Sequence, residues 1–133
     1  MNIGEAADLT GLSAKAIRYY EDIKLVVADR RTNGYRHYAD RHLQKLTFLK
    51  RARSFGFSIE DCRELLRLYQ NDHRESADVK RLAIERLADL EEKAREIERL
   101  RETLTELVEA CAGDDGPNCP IISKLAGDDQ IDL

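Results

Sequence analysis

The chain of 133 residues has no tryptophan, one methionine, two prolines and three cysteines. Aromatic residues make up only 6% of it, while charged residues make up 36%. So little bulky apolar material cannot fill a large core, and the length suits one ordinary domain or a small head joined to a long helix. No stretch approaches the ~18 apolar residues that would span a bilayer, and the N-terminus lacks a charged segment followed by an apolar run. An odd number of cysteines without an export signal reads as cytoplasmic and reduced. Also missing are a Ser/His/Asp arrangement, carboxylates paired in a pocket-forming context and a phosphate-cradling glycine loop, so no enzyme is expected.

The net charge of −4 hides an asymmetry. Residues 1–70 carry 13 Lys/Arg against 9 Asp/Glu, whereas residues 71–133 carry 9 against 17. Within 15–53 the count is 11 basic to 4 acidic. A basic stretch on an acidic chain can still bind phosphates, because the local field governs the encounter.

Asn2 with Glu5 three positions later predicts a capped first helix through Leu9. Gly11 breaks it, and Ser13 caps a second helix from Ala14 to about Glu21. Two short helices around a glycine turn form the helix-turn-helix pattern. Leu25, Val26 and Val27 are β-prone, and Asn33-Gly34 is a strong turn signal. A small β-hairpin, or wing, with basic and aromatic residues at its tip is therefore expected. Asp40 is expected to cap a third helix over about 41–55 stopped by Gly56, and Ser58 a fourth ending near Tyr69. Cys62 on that fourth helix reads as a small buried hydrophobe.

From Ser76 or Ala77 to about Ala110 there is no Gly or Pro. Ala83, Leu87, Leu90, Ala94, Ile97, Leu104 and Val108 fall at alternating four- and three-residue steps, with one gap at Arg101. This is a heptad seam on a helix about 50 Å long. The chain offers no second helix of that length, so the seam predicts a homodimer.

The second helix of the head carries Lys15, Arg18, Tyr19 and Tyr20, and the wing carries Arg31, Asn33, Tyr35, Arg36 and Tyr38. Arg18 can read guanine or clamp a phosphate, Tyr19 can donate to a phosphate, and the wing residues can grip the backbone beside the groove. A turn-rich loop follows the long helix, with Cys111 and Cys119 at its ends. Thiolates are soft donors suited to Cu(I), Ag(I) or Au(I), which accept two sulfurs. Zinc wants four ligands, and the nearby Asp114, Asp115 and Asn118 come with no His. A two-sulfur site for one monovalent ion per subunit fits better.

The run Ile3-Gly4-Glu5-Ala6-Ala7, then Thr10 through Glu21, Leu25, and Arg31-Thr32-Asn33-Gly34-Tyr35-Arg36-His37-Tyr38 resembles the N-terminal signature of the MerR family. The likeness continues through Leu43, Leu46, Arg51 and Gly56-Phe57-Ser58 into the long helix. From Ala110-Cys111 to Cys119-Pro120-Ile121-Ile122 the chain is similar to the copper-efflux-regulator (CueR-like) branch. The resemblance implies a winged helix-turn-helix head, an antiparallel coiled-coil dimer and an effector site near the coiled-coil end. It also implies transcription activation with RNA polymerase by distorting promoter DNA. Divalent-metal relatives have a Cys where this chain has Ser76, so the resemblance implies that Ser76 selects monovalent ions. Ser76 also reads as a plain helix cap.

The expected fold is mostly α, with the head at 1–70, the dimerisation helix at 76–110, the metal loop and a short helix at 111–126 and a mobile tail at 127–133. Two alternatives stay open. One is a redox sensor built on a Cys111–Cys119 disulfide. The other is a coiled-coil adaptor with an incidental basic head.

Overall fold

A computed structural model describes residues 1–127. From Asp128 onward, the expected mobile tail lies outside the described residues. The order of elements is α1 (Ile3–Thr10), α2 (Ala14–Asp22), β1 (Asp29–Arg30), β2 (Arg36–His37), α3 (Asp40–Ser54), α4 (Ile59–Gln70), α5 (Ser76–Ala110) and α6 (Pro120–Leu125). The described residues are mostly helical, with one two-stranded antiparallel hairpin among them. It divides into two compact units, Met1–Arg86 and a second beginning at Leu87. Among the described residues no helix is long and apolar enough to cross a membrane.

In the first unit, local chemistry sets each helix start. Asn2 accepts from the Glu5 N–H at 2.8 Å and Glu5 accepts from the Asn2 N–H, a reciprocal box that satisfies two orphan donors. Gly11, at φ +75°, closes α1 and turns the chain into α2, which Ser13 caps through the Ala16 N–H. Ser58 caps α4 through the Asp61 N–H at 3.0 Å. Ala6, Ile17, Leu46, Leu49 and Cys62 are at most 1% exposed and form the centre of the core. Burial raises the Cys62 thiol pKa, as suits a core residue rather than a ligand. Leu82 of α5 joins the same core and Val79 packs against it.

Two local expectations are corrected. Residues 25–27 form no strand. Lys24 turns left-handed at φ +58°, and the Leu25 and Val26 N–H groups donate back to the Tyr20 carbonyl at 2.8 and 3.3 Å. Leu25 and Val26 are buried, so their apolar character serves packing after α2, and the hairpin starts later, at Asp29. Asp40 does not cap α3. It is the first helical residue, Ala39 holds the cap position, and Nδ1 of His42 accepts from the Ala39 N–H at 2.9 Å. Ala39 has no side-chain acceptor, so the imidazole takes on half of what Asn2 and Glu5 do for α1.

In the second unit, α5 continues as an uninterrupted helix to Ala110. Leu87, Leu90, Ile97, Leu104 and Val108 are 42–64% exposed. A row of large apolar side chains left open along a long helix is what a heptad seam looks like in a single chain.

Candidate nucleic-acid interface and metal centre

The head presents Lys15, Arg18 and Tyr19 on the exposed side of α2. They lie there because Ile17 and Tyr20 occupy the inner face, at 1% and 6% exposure. Tyr20, which the sequence placed with the groove-reading residues, is therefore a core ring, and burial raises its phenol pKa. The tilted Tyr19 ring stands 6.0 Å from that of Tyr20, centroid to centroid.

The hairpin pairs Asp29 with His37 and Arg30 with Arg36. At its tip the Gly34 N–H donates to the Arg31 carbonyl at 2.8 Å, and Gly34 adopts φ +83°. Asn33 uses its side-chain oxygen to accept from the Tyr35 N–H at 3.1 Å, so it builds the turn. Tyr35 is 72% exposed and Arg31 is exposed beside His37, with Nη2 3.1 Å from Nδ1. Tyr38 differs from the expectation of a backbone-gripping residue. It is 2% exposed, its hydroxyl is buried with no hydrogen-bond partner among the described residues, and its pKa is raised by burial. Its ring meets His42 edge-on.

Arg36 is engaged inside the head. Its Nε donates to Glu21 Oε2, and this bond holds the guanidinium firmly protonated. Residue type and spacing single out neither Glu21 nor His42. At His42 the signal is its place three residues after Ala39, where a side-chain acceptor completes half of a capping box, whereas Glu21 meets Arg36 across 15 residues.

In the second unit, the Cys111 N–H donates to the Leu107 carbonyl at 3.1 Å, so Cys111 sits on the last turn of α5. Gly113 then takes φ +65°, and Asp114 accepts from the Gly116 N–H at 2.9 Å. These turns fold the loop back and bring the Cys119 sulfur to 3.8 Å from that of Cys111. Both thiols are free and half-buried. The Cys119 thiol is held below the usual thiol range, chiefly by the Ile122 backbone N–H at the start of α6 and further by Cys111 and the Ile121 N–H. Among the described residues no group of three or more His, Cys, Asp or Glu side chains could hold a metal ion. The donor set within one chain is thus two thiols. Two thiols fall short of the four ligands of a closed structural zinc site. Ser76 is exposed as the first residue of α5, in the first unit.

The family description "MerR HTH family regulatory protein" matches residues 1–69, and "MerR, DNA binding" matches residues 43–107. The HTH-type transcriptional regulator HmrR of Rhizobium leguminosarum bv. viciae is 52% identical over 95% of this chain and 98% of its own. The HTH-type transcriptional regulator CueR of Yersinia pestis is 48% identical over 96% of this chain and 92% of its own. Among solved structures, the transcription regulator PbrR691 of Ralstonia metallidurans CH34 in complex with lead(II) superposes with a TM-score of 0.79. It is 28% identical, over 94% of this chain and 98% of its own. With its helix-turn-helix, wing and long helix, the chain belongs to the MerR family of helix-turn-helix transcription regulators, and it is not an enzyme.

Proposed function

We propose that the protein is a metal-responsive transcription regulator of the cytoplasm. It binds promoter DNA as a homodimer and activates genes for soft-metal efflux or detoxification together with RNA polymerase. The effector is one monovalent ion per subunit, Cu(I) ahead of Ag(I) and Au(I), held by Cys111 and Cys119. The single observation that carries this reading is the 3.8 Å approach of two free sulfurs that, among the described residues, no third His, Cys, Asp or Glu joins. Thiolates suit both Cu(I) and zinc, and it is the number of donors, two rather than four, that favours a monovalent ion. Two thiolates around a +1 ion leave one negative charge, which the Ile122 and Ile121 N–H groups beside Cys119 offset.

DNA is held by Lys15, Arg18 and Tyr19 of α2 with Arg31 and Tyr35 of the wing, while Asn33 shapes the wing tip. These side chains, apart from the turn-forming Asn33, offer cations and two phenols free to meet phosphates and base edges. The α5 seam pairs two copies. Ser76 withholds a third sulfur and so keeps the site monovalent. The working divisions are the head at 1–70, the dimerisation helix at 76–110 and the metal loop with α6 at 111–126. The disulfide alternative is not favoured, since regulators called CueR and a lead(II)-bound regulator are similar over nearly the whole chain.

Effector and DNA act as linked ligands, so the ion must favour one DNA-bound shape over another. In run-off transcription with RNA polymerase on a promoter fragment that the wild type retains, Cu(I) raises transcript for the wild type. It does so for neither Cys111→Ser nor Cys119→Ser, while all three retain the fragment equally. Normal induction of either variant contradicts the assignment.

A further inference from the structure

Glu21 lies one turn beyond Arg18 on α2, and its carboxylate is nearly buried, at 9% side-chain exposure. Its two oxygens divide between the two strands of the wing. Oε2 accepts from Nε of Arg36 on β2, and Oε1 stands 3.5 Å from Nη2 of Arg30 on β1. Arg30 and Arg36 are cross-strand partners. One carboxylate therefore clasps both strands at the same rung. Arg30 continues the connection toward the wing tip, where its Nη1 approaches the Gly34 carbonyl at 3.4 Å.

We propose that Glu21 and Arg36 are positioning residues for DNA binding: their ion pair fixes the wing against the recognition helix, and Arg36 does not itself neutralise a phosphate. The proposal rests on the DNA-binding reading above. A buried carboxylate needs its partner, so a phosphate that drew Arg36 away would leave Glu21 uncompensated. Arg31 is the contrast. It is exposed, and among the described residues no carboxylate lies within ion-pair distance of it. The wing thus divides its cations: Arg36, and more loosely the exposed Arg30, are tied to Glu21, while Arg31 is left to meet DNA.

The two possible roles for Arg36 give opposite signs on Glu21→Gln. If Arg36 gripped phosphate and Glu21 merely competed, removing the carboxylate's charge would strengthen DNA binding. If the pair positions the wing, the same change weakens binding despite making the head more positive. The experiment uses the full chain and a labelled duplex that the wild type recovers from a random-sequence library, with affinity measured across a salt series. Glu21→Gln and Arg36→Gln should each weaken binding roughly five- to tenfold, and the double variant should be no worse than either, as for residues in one network. The slope of log affinity against log salt should stay at the wild-type value in these variants and fall by roughly 0.9 per protomer for Arg31→Gln, the loss of one phosphate contact. Unaltered Ag(I) binding by the cysteine pair, with unfolding well above the assay temperature, separates misplacement from loss of fold. If Arg36→Gln does not fold, Arg36→Lys keeps the charge, and it should weaken binding with the slope kept. Equal or tighter binding by Glu21→Gln overturns the inference, as does wild-type affinity for Arg36→Lys or a slope for Arg36→Gln that falls as far as that of Arg31→Gln. Recovery of no duplex by the wild type overturns the DNA-binding reading and this inference with it.

Discussion

Nδ1 of His42 accepts the Ala39 backbone N–H at 2.9 Å, so α3 is closed at its start by an imidazole that must carry no proton on that nitrogen. His42 is 3% exposed. Burial, followed by the Arg41 charge, holds its pKa below the ordinary value of 6.5, while Asp29 pulls weakly the other way.

The sign of the resulting pH effect follows directly. His42 binds its proton less readily in the folded state than in the unfolded one. Its contribution to stability is complete above pH 6.5 and is lost as the pH falls from there toward the folded pKa. The melting temperature of wild type should drop on going from about pH 7.5 to about pH 5.5, above the range where carboxylates titrate. His42→Gln keeps an acceptor at the third helical position and has no proton to gain there, so its curve over this range should be flatter. Equal slopes for the two proteins would remove His42 from the account.

The open α5 seam gives a second prediction. Ile97 is 64% exposed in one chain, in the middle of the apolar row. Ile97→Lys places a charge where two seams meet, and sedimentation should shift from dimer toward monomer at micromolar concentration. A fully dimeric variant would place the dimer interface elsewhere.

Gly56 sits at φ +80° between α3 and α4, and a Cβ there would come within 2.2 Å of the Arg86 guanidinium. Arg86 uses that space to donate from Nε to the Phe55 carbonyl at 2.9 Å. Gly56→Ala therefore meets an unfavourable backbone conformation and displaces Arg86, and urea unfolding should show a loss of about 1–2 kcal/mol. Arg86→Ala, which keeps the glycine, should cost less.

Ser76→Cys adds a soft donor at the first position of α5. Zinc affinity of the reduced dimer should rise relative to wild type, since zinc is satisfied by more ligands than two. No change in zinc affinity would separate Ser76 from metal selectivity.

Most of this architecture was legible in the sequence because it is written in local chemistry. Asn2 with Glu5, Ser13 and Ser58 announce helix starts, and Gly11, Gly34 and Gly56 mark positive-φ turns. The heptad seam and the cysteine pair were also legible, since both are matters of spacing. What was not legible depends on tertiary contact. Leu25 and Val26 look like a strand and are buried beside α2 without pairing. Tyr20 and Tyr38 look like surface phenols in a basic stretch, yet their rings fill the core, because aromatic type alone does not say which face of an element turns inward. Arg36 looked like a phosphate ligand because its partner, Glu21, lies 15 residues away. Asp40 is a good capping residue by type, but Ala39 holds the cap position and His42 serves it.

The central claim is that Cys111 and Cys119 hold one monovalent soft ion per subunit. Its most direct test is an anaerobic titration of the reduced protein with Cu(I), Ag(I) and Zn(II) against a competing chelator, for wild type and Cys111→Ser. The account predicts one tightly bound monovalent ion per subunit, lost in Cys111→Ser, with zinc weak. Tight zinc binding, or no tight binding of any of the three ions, would contradict it and return the sulfur pair to a redox role.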